Sequence, residues 1–343
     1  MSSHASLRMQ SNPEEFFASL LGGMSKSGSN AFAISPRKSA TGGAIMASDP
    51  HLGINLPNMW LLAGYQSPSY HVVGLMFPGL PVVLVGRNKD IAFSGTNMRA
   101  ASSDLYELDS EQLQNLSTSK RKIAVRGWFD KKIVVRSSEI GPIISDAPLF
   151  NSNGRTIAMR WVGHEYSDEL SSALKMNQAS TWGEFTASFD TYAVSGQNYL
   201  YADAKGSIGL LPAVKIPVRD YHTPESVVHD MSENEGVWNG FLKTSDLPRI
   251  YNPESGFIAS ANNQPVKATT PLGFFFSSND RVTRMNSYLA DRQAITWEDI
   301  RFLHTDTYVG SAHQAAQAMA RAMQDYFIEP HPKGFSEIQQ MLE

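Results

Sequence analysis

Short apolar runs separated by turn-forming residues recur from Ser29 to Ala261, and they constrain the fold of this chain more than any other feature. Runs at 31–34 and 44–47 flank a turn rich in Ser, Thr and Gly between Arg37 and Gly43. Others lie at 72–77, 81–85, 91–95, 105–108, 122–125, 132–135 and 157–161. Segments of this length, bounded by Gly, Pro, Asn or Asp, read as strands. Residues 199–202 and 208–211 form a hairpin around Asp203-Ala204-Lys205-Gly206, and 257–261 is a further strand that ends at Asn262-Asn263. Helical stretches are expected at 168–176, 181–189, 284–291, 297–303 and 312–326, and Thr181-x-x-Glu184 resembles a capping box. One more helix is expected near the start, with Asn12 as N-cap, Pro13 and Glu14-Glu15 in the first turn, and Gly22-Gly23 as the stop. A strand-rich core with helices outside it predicts an α+β layered sandwich.

Composition narrows the chemistry. The chain has no cysteine, which removes disulfides, thiolate metal sites and cysteine nucleophiles together. Its 29 basic and 33 acidic residues give no strong field and no long basic run, so neither nucleic acid nor an anionic membrane is an expected partner. The most apolar stretch, 71–86, is too short to span a bilayer and is interrupted by Pro78 and Pro81. Residues 1–10 carry no apolar signal-peptide core, and the compartment stays open.

Gly28-Ser29-Asn30, with Asp49-Pro50-His51-Leu52 downstream, carries the chemical interest. Cleavage between Gly28 and Ser29 would leave one residue holding both a hydroxyl nucleophile and an α-amine. That amine titrates near pH ~8, so it can act as a base around neutrality. Taken alone each piece has a plainer reading: Gly-Ser-Asn as a turn, His51 as a loop histidine, Asn262-Asn263 as a strand end, Arg281 as a surface charge. Ser35-Pro36-Arg37-Lys38 matches the Ser-x-x-Lys pattern of penicillin-binding enzymes, with Lys243-Thr244-Ser245 as a loose later echo. That serine must open a helix, whereas here it follows a strand-like run; Ser117 to Lys120 matches the same pattern. No Gly-x-Ser-x-Gly, His-Glu-x-x-His or phosphate-binding glycine loop is present.

A series of short motifs in order lifts the plainer readings. It comprises Gly28-Ser29-Asn30, Ala40-Thr41-Gly42, Asp49-Pro50-His51-Leu52, Pro78-Gly79-Leu80-Pro81 and Gly95-Thr96-Asn97. It continues through Asp104-Leu105-Tyr106, Gln197 to Asp203, Asn252-Pro253, Ser255 to Ala259, Asn262-Asn263 and Asp280-Arg281-Val282. From Gly28 onward the chain thereby resembles the penicillin acylase family of N-terminal nucleophile hydrolases, specifically the first part of their β subunit. The resemblance implies an αββα sandwich of antiparallel sheets flanked by helices. It implies that residues 1–28 are the end of an α region or spacer, and that 29–343 are a β-subunit core that is incomplete at its C-terminal end. The missing α and C-terminal β portions are then partners, and the α part supplies much of the acyl pocket.

Roles follow from the same resemblance. Ser29 matches the nucleophile and Gly28 the residue before the scissile bond, where glycine suits a strained backbone. His51 matches the position that orients the new α-amine; the cephalosporin acylase and acyl-homoserine-lactone acylase branches have histidine there. The backbone N–H of Met98 and the amide of Asn262 match the oxyanion-hole donors, and Arg281 the residue that holds the asparagine. Leu52, Trp60 and Met98 are expected to line the acyl pocket. Several members bind calcium beside the hole. Here Asp104 falls at one ligand position, Ala101 stands where another aspartate would be, and the loop 264–278 supplies no carboxylate, so no metal is expected. The expected function is hydrolysis of an N-acyl amide with an apolar acyl chain, such as an acyl-homoserine lactone or a β-lactam amide. Two rivals are a silent, unprocessed remnant of such an acylase and a carbohydrate- or peptide-binding sandwich. The latter would leave Ser29, His51 and Asn262 far apart.

Overall fold

Two antiparallel sheets lie face to face, with helices on both outer sides. The computed structural model describes residues 28–52, 58–148, 150–220, 227–233 and 238–326. The helix expected from Asn12, and the spacer 1–27, lie outside the described residues. The smaller sheet has the order β17 (Phe257–Ser260), β1 (Asn30–Ile34), β2 (Ile45–Asp49). The larger has the order β16 (Ile250–Tyr251), β12 (Ile208–Ala213), β11 (Gln197–Asp203), β6 (Ile91–Asn97), β5 (Val85–Arg87), β4 (His71–Met76), β3 (Leu61–Gln66). Beside them β7 (Ser103–Glu107) lies between β10 (Ile157–Trp161) and β14 (Val228–Asp230), and β13 (Ile216–Arg219) pairs with β15 (Trp238–Leu242). β8 (Ser117–Ile123) and β9 (Lys131–Ser137) form a separate hairpin, preceded by the short helix α1 (Ser110–Gln114).

Side-chain size sets the layers. Along β1, Ala31 and Ala33 point between the sheets, against Leu200, Ala202, Ile208 and Leu210. Phe32 and Ile34 point the other way, onto Val282, Met285 and Leu289 of α4 (Asp280–Ala290) and Ile300 and Leu303 of α5 (Trp297–Thr305). Burial on both faces explains why β1 shows no polar alternation, and the small inward alanines let the sheets approach. On the far side Phe93, Tyr199, Tyr201 and Leu211 pack against Met176 of α2 (Glu169–Gln178) and Phe185 of α3 (Trp182–Ala187). The resulting order, helix, sheet, sheet, helix, is the expected αββα sandwich.

Several local expectations change, among them β8, which runs 117–123 where a strand is expected at 122–125. The run 81–85 pairs only from Val85; Val83 instead meets the side chain of Asn177, which accepts its N–H at 2.8 Å and donates to its C=O at 2.7 Å. That amide replaces a strand partner, which no apolar pattern announces. At α3 only half of the capping box forms: Thr181 Oγ1 accepts the Glu184 N–H, while the Glu184 carboxylate takes the N–H and O–H of Ser180. The helix expected from 284 begins four residues earlier, at Asp280, and this brings Arg281 into its first turn.

Candidate active site

Strand pairing assembles the site. In the β1–β2 hairpin Asn30 lies opposite Asp49, so the chain just before β1 meets the chain just after β2, and the Gly28 N–H donates to His51 O at 3.2 Å. On the other flank of β1, Ser260 lies opposite Ala31, which brings Asn262 alongside Ser29. Asn262 has a φ of +62°, in the left-handed region that asparagine tolerates better than most residues. Its Oδ1 accepts the Ser29 backbone N–H at 2.8 Å and Arg281 Nη2 at 3.0 Å, and its Nδ2 donates to Asn97 O at 2.9 Å. Two donors facing one end and an acceptor facing the other fix which way the amide points. Nδ2 retains a second N–H beyond the one given to Asn97.

Arg281 ties these segments together. Its guanidinium donates to Ser29 O at 2.8 Å, Asn30 Oδ1 at 2.7 Å and Ala261 O at 2.8 Å, besides Asn262. A planar fork of donors suits several acceptors at fixed angles, as a lysine would not. Burial lowers its pKa, the charge of Arg99 acts in the same direction, and Asp49 opposes both.

His51 is held from behind. Its Nδ1 lies 3.1 Å from Asp49 O and 3.3 Å from Asp49 Oδ2, so Nε2 is the free end of the ring. That end faces the Gly28–Ser29 segment: a Cβ on Gly28 would lie 2.7 Å from His51 Nε2, and 3.2 Å from both Arg281 Nη2 and Asn262 Oδ1. Close approach of three side chains thus gives Gly28 a steric reason to be glycine. Ser29 itself is 7% exposed, beneath the half-exposed imidazole. Ser29, His51, Asn262 and Arg281 therefore come together, contrary to the reading of an incidental match in a binding sandwich. Asp49, which orients His51, and Asn97, which touches Asn262, join them; both stood within the quoted motifs without a role of their own. The parity of the β6–β11 pairing is what reveals Asn97.

Other sequence-predicted residues sit elsewhere. The Met98 N–H donates to Gly196 O at 3.0 Å and is not available to an oxyanion. Its side chain, fully buried against Val214, Ile216, Leu247 and Leu272, belongs to the core and not to a pocket wall. Both roles expected of Met98 are corrected on these grounds. Leu52 and Trp60 are half-buried, and Trp60 stacks on Phe77 at 4.6 Å. Antiparallel order puts Trp60 at the same end of the large sheet as Asn97, three strands away, or roughly 14 Å.

The Ser-x-x-Lys reading is also overturned. Lys38 Nζ donates to Leu289 O, Ala290 O and Arg292 O at 2.6, 2.9 and 2.8 Å, closing the C-terminus of α4, and Ser35 follows a strand. Nor do the residues present fit a calcium ion. Asp104 Oδ2 already takes Arg219 Nε at 2.8 Å and Trp238 Nε1 at 2.6 Å, His229 Nε2 lies 3.9 Å from Oδ1, and Ala101 supplies no ligand. Among the described residues no group of three or more His, Asp or Glu could hold a metal.

Comparison with known proteins bears on the family and the fold. A family profile described as Penicillin amidase matches residues 3–341. The chain is 27% identical to Penicillin acylase 2 proenzyme of a Pseudomonas species over 297 residues, 82% of this chain and 38% of the relative. It is 26% identical to Penicillin G acylase of Escherichia coli over 293 residues, 80% of this chain and 34% of the relative. To acyl-homoserine lactone acylase QuiP of Pseudomonas aeruginosa it is 24% identical over 272 residues, with shares of 70% and 30%. It therefore spans about a third of the length of these relatives. In structure it resembles the thermostable penicillin G acylase of Alcaligenes faecalis, with a TM-score of 0.75 at 20% identity over 91% of this chain and 58% of that one, which shows a shared fold.

Proposed function

The chain belongs to the penicillin amidase family, and from that premise we propose that it is an N-acyl amide hydrolase whose nucleophile, Ser29, is exposed by scission of its own Gly28–Ser29 bond. The observation that carries this reading is the Ser29 nitrogen held at 2.8 Å by Asn262 Oδ1, with His51 Nε2 and Arg281 converging on the same peptide. In the scission, Ser29 Oγ adds to the Gly28 carbonyl carbon and the C–N bond breaks, with the nitrogen taking the proton. The resulting ester is hydrolysed by water, which leaves a Gly28 carboxylate and a Ser29 with a free α-amine. Asn262 Oδ1 keeps that amine in place, and the His51 ring, fixed by Asp49, closes the opposite side.

In turnover the unprotonated amine takes the Oγ proton as Oγ attacks the substrate carbonyl, and then passes it to the departing amine. Water repeats the cycle on the acyl-enzyme. The developing oxyanion needs two donors, and Asn262 Nδ2 is one. The other is the Asn97 N–H: an extended residue points its N–H and C=O to the same side, and Asn97 O already faces Asn262. Met98, the next residue, points the opposite way, into the pairing with Gly196. The acyl group is apolar, received by Leu52, next to His51, and by Trp60 at the end of the large sheet. The names of the relatives support β-lactam amides and acyl-homoserine lactones as substrate classes. The test is release of amine from a panel of such amides by the parent and by Ser29→Ala. Release by the parent alone supports the reading. A processed chain that cleaves none of them refutes it, and an unprocessed chain returns the silent-remnant reading.

A further inference from the structure

The β8–β9 hairpin stands apart from the layers: it forms a sheet of its own, and every residue from Ser117 to Lys132 is exposed. At seven residues per strand it reaches roughly 23 Å. Its tip carries Trp128 at 76% exposure and Phe129 at 85%, their rings 6.0 Å apart, with Ile123, Val125 and Val134 exposed behind them. An isolated two-stranded ribbon is marginal in water, and a bare Trp-Phe tip adds a cost that only a covering partner removes.

Charge identifies that partner. Residues 117–136 hold seven bases, Lys120, Arg121, Lys122, Arg126, Lys131, Lys132 and Arg136, against the single acid Asp130. The rest of the chain has 22 bases and 32 acids, so the hairpin is a cationic arm on an anionic body. Lys122 meets Asp130 and Arg136 meets Asp146, but among the described residues no carboxylate pairs with the other five. Lys122 also lies directly across from Lys132, a like-charge pair of which Asp130 covers only the Lys122 side. In linear sequence these charges are split by the turn and form no long run; pairing gathers them around the aromatic tip.

We propose that this hairpin docks on an anionic lipid surface, with Trp128 and Phe129 at the headgroup level and the lysines and arginines on the lipid charges. Indole and phenyl rings favour that interface, and clustered bases bind acidic headgroups. The proposed contact is made by the hairpin alone; among the described residues no helix is long and apolar enough to cross a membrane. It is independent of the hydrolase chemistry.

The experiment is co-sedimentation of the full chain with phosphatidylcholine vesicles, with and without about one-third phosphatidylserine. The proposal expects at least about tenfold stronger partition onto the anionic vesicles, lost when salt near ~0.5 M shortens the screening length. It expects Trp128→Ala with Phe129→Ala, and separately Lys120→Glu with Lys132→Glu, each to remove most of the binding at an unchanged melting temperature. Equal partition onto both vesicles, undiminished binding by either variant, or binding to a single-stranded oligonucleotide in preference to vesicles would each overturn it.

Discussion

Replacing Arg281 with lysine is the substitution with the best-defined consequence. The guanidinium makes four hydrogen bonds, to Ser29 O, Asn30 Oδ1, Ala261 O and Asn262 Oδ1, and so joins α4 to β1 and to the turn after β17. A single ammonium keeps the charge and reaches at most two of those acceptors. Hydrogen bonds from charged donors contribute about 1.5–3 kcal/mol each, and the lost pair is partly compensated by water at this half-buried position, which gives a loss of about 3 kcal/mol. Asn262 also loses the second of the two donors that orient it. If half of that loss falls on the transition state, scission of Gly28–Ser29 slows roughly tenfold. Urea unfolding measures the stability, and the ratio of cleaved to intact chain over time measures the scission. Arg284→Lys is the control on the same helix: its Nε–Asp306 pair at 2.7 Å is away from Ser29, so the cost is below about 1 kcal/mol and scission is unaffected. Stability within about 0.5 kcal/mol of the parent, with unchanged scission, would refute the view that the fork holds the site together.

Three further outcomes are expected. Burial pushes the Asp104 carboxyl up, but hydrogen bonds from His229, Arg219 and Trp238 outweigh it and hold the pKa below the ordinary value. A depressed native pKa adds stability above the unfolded value of about 3.9 that is lost as pH falls through the native one, so Asp104→Asn should flatten the acid limb of a melting-temperature profile. Lys38→Met removes three hydrogen bonds from the end of α4 and should cost about 2–4 kcal/mol in urea unfolding without stopping scission below the melting temperature; loss of scission in a folded variant would revive a role for Ser35-x-x-Lys38. Gly28→Ala pushes a methyl into His51 Nε2 and should slow scission, and His51→Ala should add little further slowing; additive slowing would show that the two residues do not meet.

What could be read from the sequence was whatever local pattern determines. The 31–34 and 44–47 runs around a turn give β1 and β2, and their pairing brings His51 to Gly28. The motif series placed Asn262 and Arg281 where the structure brings them to Ser29. What escaped depends on partners distant in sequence. Whether Met98 or Asn97 turns its N–H toward Asn262 is decided by the parity of β6 against β11, and a one-residue shift reverses it. Val83 meets Asn177, 94 positions away, through a side chain. The Asp104 carboxylate is taken by Arg219 and Trp238, both more than a hundred residues downstream. The cationic hairpin was hidden because its charges lie on two strands with a turn between them.

Self-scission would make Ser29 an N-terminus by its own chemistry. The intact mass of the purified parent, measured beside that of Ser29→Ala, tests it most directly. The parent should lose an N-terminal piece ending at Gly28, while Ser29→Ala should keep its full mass. A full-length mass in both, or the same cleavage in both, would contradict it.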